Sequence, residues 1–135
     1  MNEQRKLVDH IVPGDSANHQ LTILVLDGPG AGGACHRYLI EGFDTESNAS
    51  IKDEPPYSGI DFVFQNGPIP EVGVNGITHE AVAAILIDRL RSFQADKYAC
   101  RENAIALTHF EEGLMWLQKR TVNRIRRGVE GTHKV

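Results

Sequence analysis

Residues 78–94 read THEAVAAILIDRLRSFQ, and their spacing decides the fold. Val82, Ile85, Leu86, Leu90 and Phe93 recur at three- and four-residue intervals, which winds them onto one side of an α-helix. Thr78 is a good N-cap residue, and Glu80 puts a carboxylate in the first turn, where the helix dipole favours it. The spacing predicts a helix over 79–94. After a short connection at Asp96-Lys97-Tyr98 the same period returns in Ala106, Leu107, Phe110, Leu114, Leu117 and Ile125. These predict a second helix from about Arg101 to Arg127, stopped by Gly128. The C-terminal half is a helical hairpin.

Upstream the period is two. Residues 20–27 (QLTILVLD) are apolar and rich in β-branched types, a buried strand, and Cys35 to Phe43 reads as a second. Ile60, Phe62 and Phe64 alternate with Asp61 and Gln65, a strand with one buried face. The first 15 residues read as a lead-in closed by Pro13-Gly14, and 45–58 as a loop with a short edge strand near Ile51. Asn66-Gly67-Pro68 and Val74-Asn75-Gly76 are turns. The expected class is α+β: a small N-terminal antiparallel sheet in a β-rich part, 1–75, followed by the hairpin and tail, 76–135, in one compact unit.

Composition narrows the function. Of 135 residues, 41% are hydrophobic and 24% charged, ordinary for a globular domain, and no apolar run approaches bilayer length. The opening Met1 to Lys6 has no apolar stretch behind its charges, so a cytosolic location without membrane contact is expected. Cys35 and Cys100 are read as two buried thiols in a reducing compartment. Net charge is −4, but Lys119, Arg120, Arg124, Arg126 and Arg127 crowd five of the 14 basic residues into one acid-free stripe. The other nine face 18 acidic residues, an acidic body that argues against nucleic-acid binding and fits a compact anionic ligand.

Familiar catalytic motifs fail on inspection. Residues 28–33 (GPGAGG) carry the letters of a dinucleotide loop, but the next segment is a strand rather than the long helix such a site needs. His79-Glu80 starts like a zinc helix, yet residue 83 is alanine, and the six histidines show no ligand spacing, so no metal is expected. Glu111-Glu112 reads as a solvated helix face. Arg120 and Arg124, four apart, share a helix face and suit a pyrophosphate with two planar forks. A solvated helix C-terminus that complements the dipole explains the stripe equally well. The stripe alone leaves both open.

At about 1.5 Å per residue the helices would span roughly 24 and 40 Å, so the last ten residues of the second should overhang the first. An overhang that still shows Trp116, Leu117 and Ile125 asks for a partner, the strand part or another subunit.

A run of local motifs resembles the phage Thoeris anti-defence family, type one. It comprises Phe64-Gln65-Asn66-Gly67-Pro68-Ile69, Glu71-Val72-Gly73-Val74-Asn75-Gly76, Ile87-Asp88-Arg89-Leu90, Phe93-Gln94 and Cys100-Arg101-Glu102-Asn103-Ala104. Trp116-Leu117, Arg120-Thr121 and Gly128-Val129-Glu130-Gly131-Thr132 complete it. The hairpin is also similar to that of phage anti-CBASS sponge proteins. The resemblance is dense over 64–133 and rests on layout over 1–63. It implies a sponge without catalysis or cofactor, one that holds glycocyclic ADP-ribose intact and so blocks Thoeris immunity in the cytoplasm of the infected bacterium.

It also implies the ligand residues: Phe93 for stacking on adenine, Asn103 for a ribose hydroxyl or base edge, and Arg120 with Arg124 for the pyrophosphate. Some relatives form larger assemblies and hold cyclic di- or trinucleotides elsewhere. Gly131 and Thr132 are the candidates for such a second site, although helix capping explains the tail nearly as well. Asn103 and Arg120 lie 17 residues apart on one helix, roughly 25 Å, too far for one small ligand. The four residues therefore line one pocket only if two subunits pack antiparallel, giving a homo-oligomer, dimer or hexamer. The rival readings are an enzyme that cleaves the signal and an oligomerisation hairpin that binds an acidic partner.

Overall fold

A computed structural model describes residues 4–133, which divide into two compact units, one through Asn66 and one from Gly67. The first is a four-stranded antiparallel meander of β1 (Arg5–Leu7), β2 (Thr22–Val25), β3 (Arg37–Glu41) and β4 (Gly59–Val63), in the spatial order of the chain. Its register lines up Val25, Tyr38 and Phe62, and next to them Ile23, Ile40 and Ile60, on one face. Val25 is fully buried there, and Tyr38 meets Phe64 edge to face at 5.7 Å. The expected lead-in thus contributes an edge strand, because Arg5 to Leu7 pair with the free side of β2.

The glycine-rich segment is a hairpin loop between β2 and β3, as the absence of a following helix predicts, with a 3-10 turn at Ala31–Gly33. Asp27 closes its neck by accepting the backbone N–H of Arg37 and of His36, each at 3.0 Å. Those two bonds, Arg37's first, hold the Asp27 carboxyl below the usual range. The edge strand expected near Ile51 is instead a 3-10 turn, Ala49–Ile51, because Asn48 caps it by accepting Ser50 N–H. Gly42 turns the chain out of β3 at φ +99°; a Cβ there would sit 2.0 Å from the Gln20 carbonyl oxygen.

The second unit holds α1 (Ile69–Val72), α2 (His79–Gln94) and α3 (Arg101–Arg126). Helix α2 has the predicted bounds, and Thr78 Oγ1 caps it by accepting Ala81 N–H at 3.1 Å. Helix α1 lies between the two expected turns and is too short to show a period. Val82, Ile87 and Leu90 line the seam with Leu107, Leu114 and Leu117, Ile87 being the most buried. The apolar stripe is wider than the seam: Ile85, Leu86 and Phe93 on α2, and Phe110 and Ile125 on α3, are exposed. Among the described residues no helix is long and apolar enough to cross a membrane.

Two cross-helix contacts mark the hairpin register. Arg91 pairs with Glu111, and the Thr121 hydroxyl donates to Glu80. Helix α3 therefore runs past α2 at both ends, over 101–106 at the tip and 123–126 at the base, rather than overhanging by ten residues at one end. The base overhang is covered by the chain itself. Gly128, at φ +70°, turns the backbone so that its N–H reaches Ile125 O and the Val129 N–H reaches Arg124 O. This double closure buries Val129, and the tail then meets α1, where Ile69 N–H donates to Gly131 O at 2.8 Å. The expected pair of buried thiols is also corrected: Cys35 is half-buried, and Cys100, at the N-cap of α3, is exposed.

Candidate ligand-binding residues at the two ends of the hairpin

The tip brings Phe93 and Asn103 to one end of the hairpin. Phe93 sits in the last turn of α2, one residue before the helix ends, and stays 40% exposed. Arg89, one turn earlier, lays its guanidinium over the ring, Cζ lying 5.5 Å from the ring centre. Tyr98 approaches from the connecting loop with ring centres 6.4 Å apart and planes at 63°, and Lys97 Nζ lies 5.3 Å from the Tyr98 ring. The loop is pinned where Gln94 Oε1 accepts Cys100 N–H at 3.0 Å. Asn103 is half-buried in the first turn of α3, and its backbone N–H donates to the Cys100 sulfur at 3.5 Å.

Arg120 and Arg124 lie near the other end of α3, and the structure does not present them as two equal forks. Arg120 is exposed, whereas Arg124 is 8% exposed and turned under the tail. Arg124 Nη2 donates to Val129 O and to Thr132 O, each at 2.9 Å. These charge-assisted bonds tie two carbonyls of the tail to the end of α3. Gly131 and Thr132 join the same clasp: Gly131 O accepts from Ile69, and the Thr132 hydroxyl donates to Val129 O at 2.6 Å. Earlier on α3, Lys119 Nζ lies 5.0 Å from the ring of the exposed Trp116.

Tip and base are thus separated along α3, and within one chain the structure does not bring Phe93 and Asn103 to Arg120. Sequence reasoning passed over Arg89 and Tyr98. A signal for Arg89 exists in its spacing of four from Phe93, whereas Tyr98 depends on how the loop folds back. The chemistry on offer at the tip is stacking, hydrogen bonding and charge. Among the described residues no three His, Cys, Asp or Glu side chains converge as a metal site would require.

Residues 57–122 match the Acb2/Tad1 hairpin domain family, from the end of the loop before β4 through most of α3. The chain is 55% identical over 71 residues to Thoeris anti-defense 1 of Bacillus phage SBSphiJ7. That match covers 53% of this chain and 50% of the relative, so the shared region spans about half of either protein.

Proposed function

We propose, from the premise that this chain belongs through its hairpin to the Acb2/Tad1 family, that it is a phage anti-defence sponge. Its ligand is glycocyclic ADP-ribose, which it binds without cleavage in the cytoplasm of the infected bacterium, so that Thoeris immunity is not triggered. One observation carries the reading: an exposed aromatic ring stands at one end of the hairpin and an exposed arginine near the other. Within one chain the arginine that the resemblance assigns to the pyrophosphate, Arg120, lies far along α3 from Phe93 and Asn103. An antiparallel second copy supplies the missing end, and two-fold symmetry makes two equal pockets. Ile85 at 65% exposed, with Trp116 and Ile125 also in solvent, gives that copy an apolar surface to cover.

In this pocket Phe93 stacks on the base, Asn103 bonds a ribose hydroxyl or base edge, and Arg120 of the second copy meets the pyrophosphate. Arg124, whose Nη2 serves the tail, is the second arginine assigned to the phosphates. The clasp around Gly131 and Thr132 is the candidate second site for cyclic di- or trinucleotides in a larger assembly such as a hexamer. No step of turnover is needed. A sponge requires only that its dissociation constant lie below the signal concentration, and nanomolar binding corresponds to about −12 kcal/mol.

Calorimetry with glycocyclic ADP-ribose, together with a solution mass, tests the proposal. The expected result is one ligand per subunit on a dimer or larger, with intact ligand recovered after heat denaturation. Phe93→Ala and Arg120→Ala should each weaken binding about tenfold or more, a typical hot-spot loss. A strictly monomeric protein, a cleaved product, or no binding at all would overturn it.

A further inference from the structure

We infer that Arg89 and Tyr98 complete the base-binding platform with Phe93, and that Tyr98 is a second aromatic wall of the pocket; the inference rests on the ligand reading above. One face of the Phe93 ring is occupied by the Arg89 guanidinium at 5.5 Å, so a base stacks on the other face. Residues four apart on α2 are neighbours, which brings the guanidinium within reach of the ring. A purine stacked on Phe93 then has Tyr98 as its neighbour. That ring lies 6.4 Å from Phe93, and the 63° between the planes opens a corner rather than a flat stack. A base seated in the corner lies face-on to Phe93 and against the Tyr98 ring.

Two further observations fit this role. Tyr98 is 64% exposed, so it contributes little to the core of the hairpin, yet its backbone is set by the bonds that pin the loop. Ala99 N–H donates to Asp96 O at 3.1 Å and Lys97 N–H to Asp96 Oδ1 at 2.8 Å, on either side of the tyrosine. An exposed aromatic ring on a fixed loop is prearranged for binding at small entropic cost. The Arg89 and Lys97 cations, held against the two rings, place two positive charges at the rim, which suits a ligand carrying a pyrophosphate.

The test uses the full chain and glycocyclic ADP-ribose as probe, with calorimetry on the wild type, Tyr98→Ala, Tyr98→Phe, Arg89→Met and Phe93→Ala. The wall acts through its ring, so Tyr98→Ala should lose about tenfold in affinity while Tyr98→Phe stays within about twofold. Arg89→Met, which keeps the stem and removes the charge, should lose about threefold to tenfold. The melting temperature of each ligand-free variant should match the wild type. Nuclear magnetic resonance should show the Tyr98 ring protons moving upfield when the probe is added, a shift that a merely structural tyrosine would not show. If Phe93→Ala weakens binding and Tyr98→Ala does not, this inference fails and the ligand reading survives. If the wild type does not bind the probe, both fail.

Discussion

At the tip of the hairpin Arg89 lies over an exposed phenyl ring, whereas at the base Arg124 is buried and spends Nη2 on two carbonyls of its own tail. Both are arginines on amphipathic helices, four residues from a neighbour implicated in binding. What separates them is the chain beyond each helix. Past α2 the loop brings Tyr98 against Phe93 yet leaves that ring 40% exposed; past α3 the Gly128 turn sends Val129 to Thr132 back across the helix end. A cation at an open end remains available to a ligand, and one at a closed end becomes part of the fold.

The largest expected effect is at the closed end. Arg124→Ala removes one donor from Val129 O and one from Thr132 O in a buried setting, and should destabilise the protein by about 3 kcal/mol. Arg120→Ala, one turn away and exposed, should stay within about 0.5 kcal/mol in urea unfolding while reducing ligand binding. Equal losses for the two would erase the contrast. Gly131 sharpens it from the backbone side. Its φ is +74°, and a Cβ would sit 3.0 Å from Ile69 Cδ1, so Gly131→Ala should cost about 2 kcal/mol. Gly113, in the middle of α3 with nothing within 4 Å of a Cβ, should give the opposite sign, Gly113→Ala adding about 0.5–1 kcal/mol.

This contrast also marks how far sequence reasoning reaches. The bounds of α2 and the Thr78 cap follow from periods and local chemistry that need no tertiary contact, and both match. Counting apolar positions cannot show that Ile85 and Phe93 face solvent, because the wide stripe exceeds what one partner helix covers. Nor does it show that α3 projects at both ends of α2, which the loop at 95–100 determines. The burial of Arg124 is invisible for a related reason: it requires the tail to return. Thr132 and Gly131 are legible as capping types, but not as the clasp that claims part of Arg124. At the tip, Phe93 and Asn103 enter through resemblance, while Tyr98 has no periodic partner and appears only when the loop is folded.

The two helix starts extend the comparison at about 1 kcal/mol. Helix α2 begins at the base with a threonine hydroxyl as cap, and α3 begins at the tip with a cysteine sulfur that accepts at 3.5 Å. Thr78→Ala should therefore cost about 1 kcal/mol. Cys100→Ser replaces a weak acceptor by a good one and should gain roughly 0.5 kcal/mol. A loss on Cys100→Ser would mean that the sulfur packs rather than caps.

The smallest effect belongs to the contact between the two ends. Arg91 and Glu111 pair at 2.8 Å with both side chains well exposed, so solvent and salt screen the attraction. Glu111→Gln should cost no more than about 0.5 kcal/mol at low salt and nothing measurable at 1 M. The seam of Ile87, Leu107 and Leu114 holds the register without it. A larger loss, accompanied by weaker ligand binding, would show instead that this pair sets where α2 ends along α3, and hence how far the platform at Phe93 stands open.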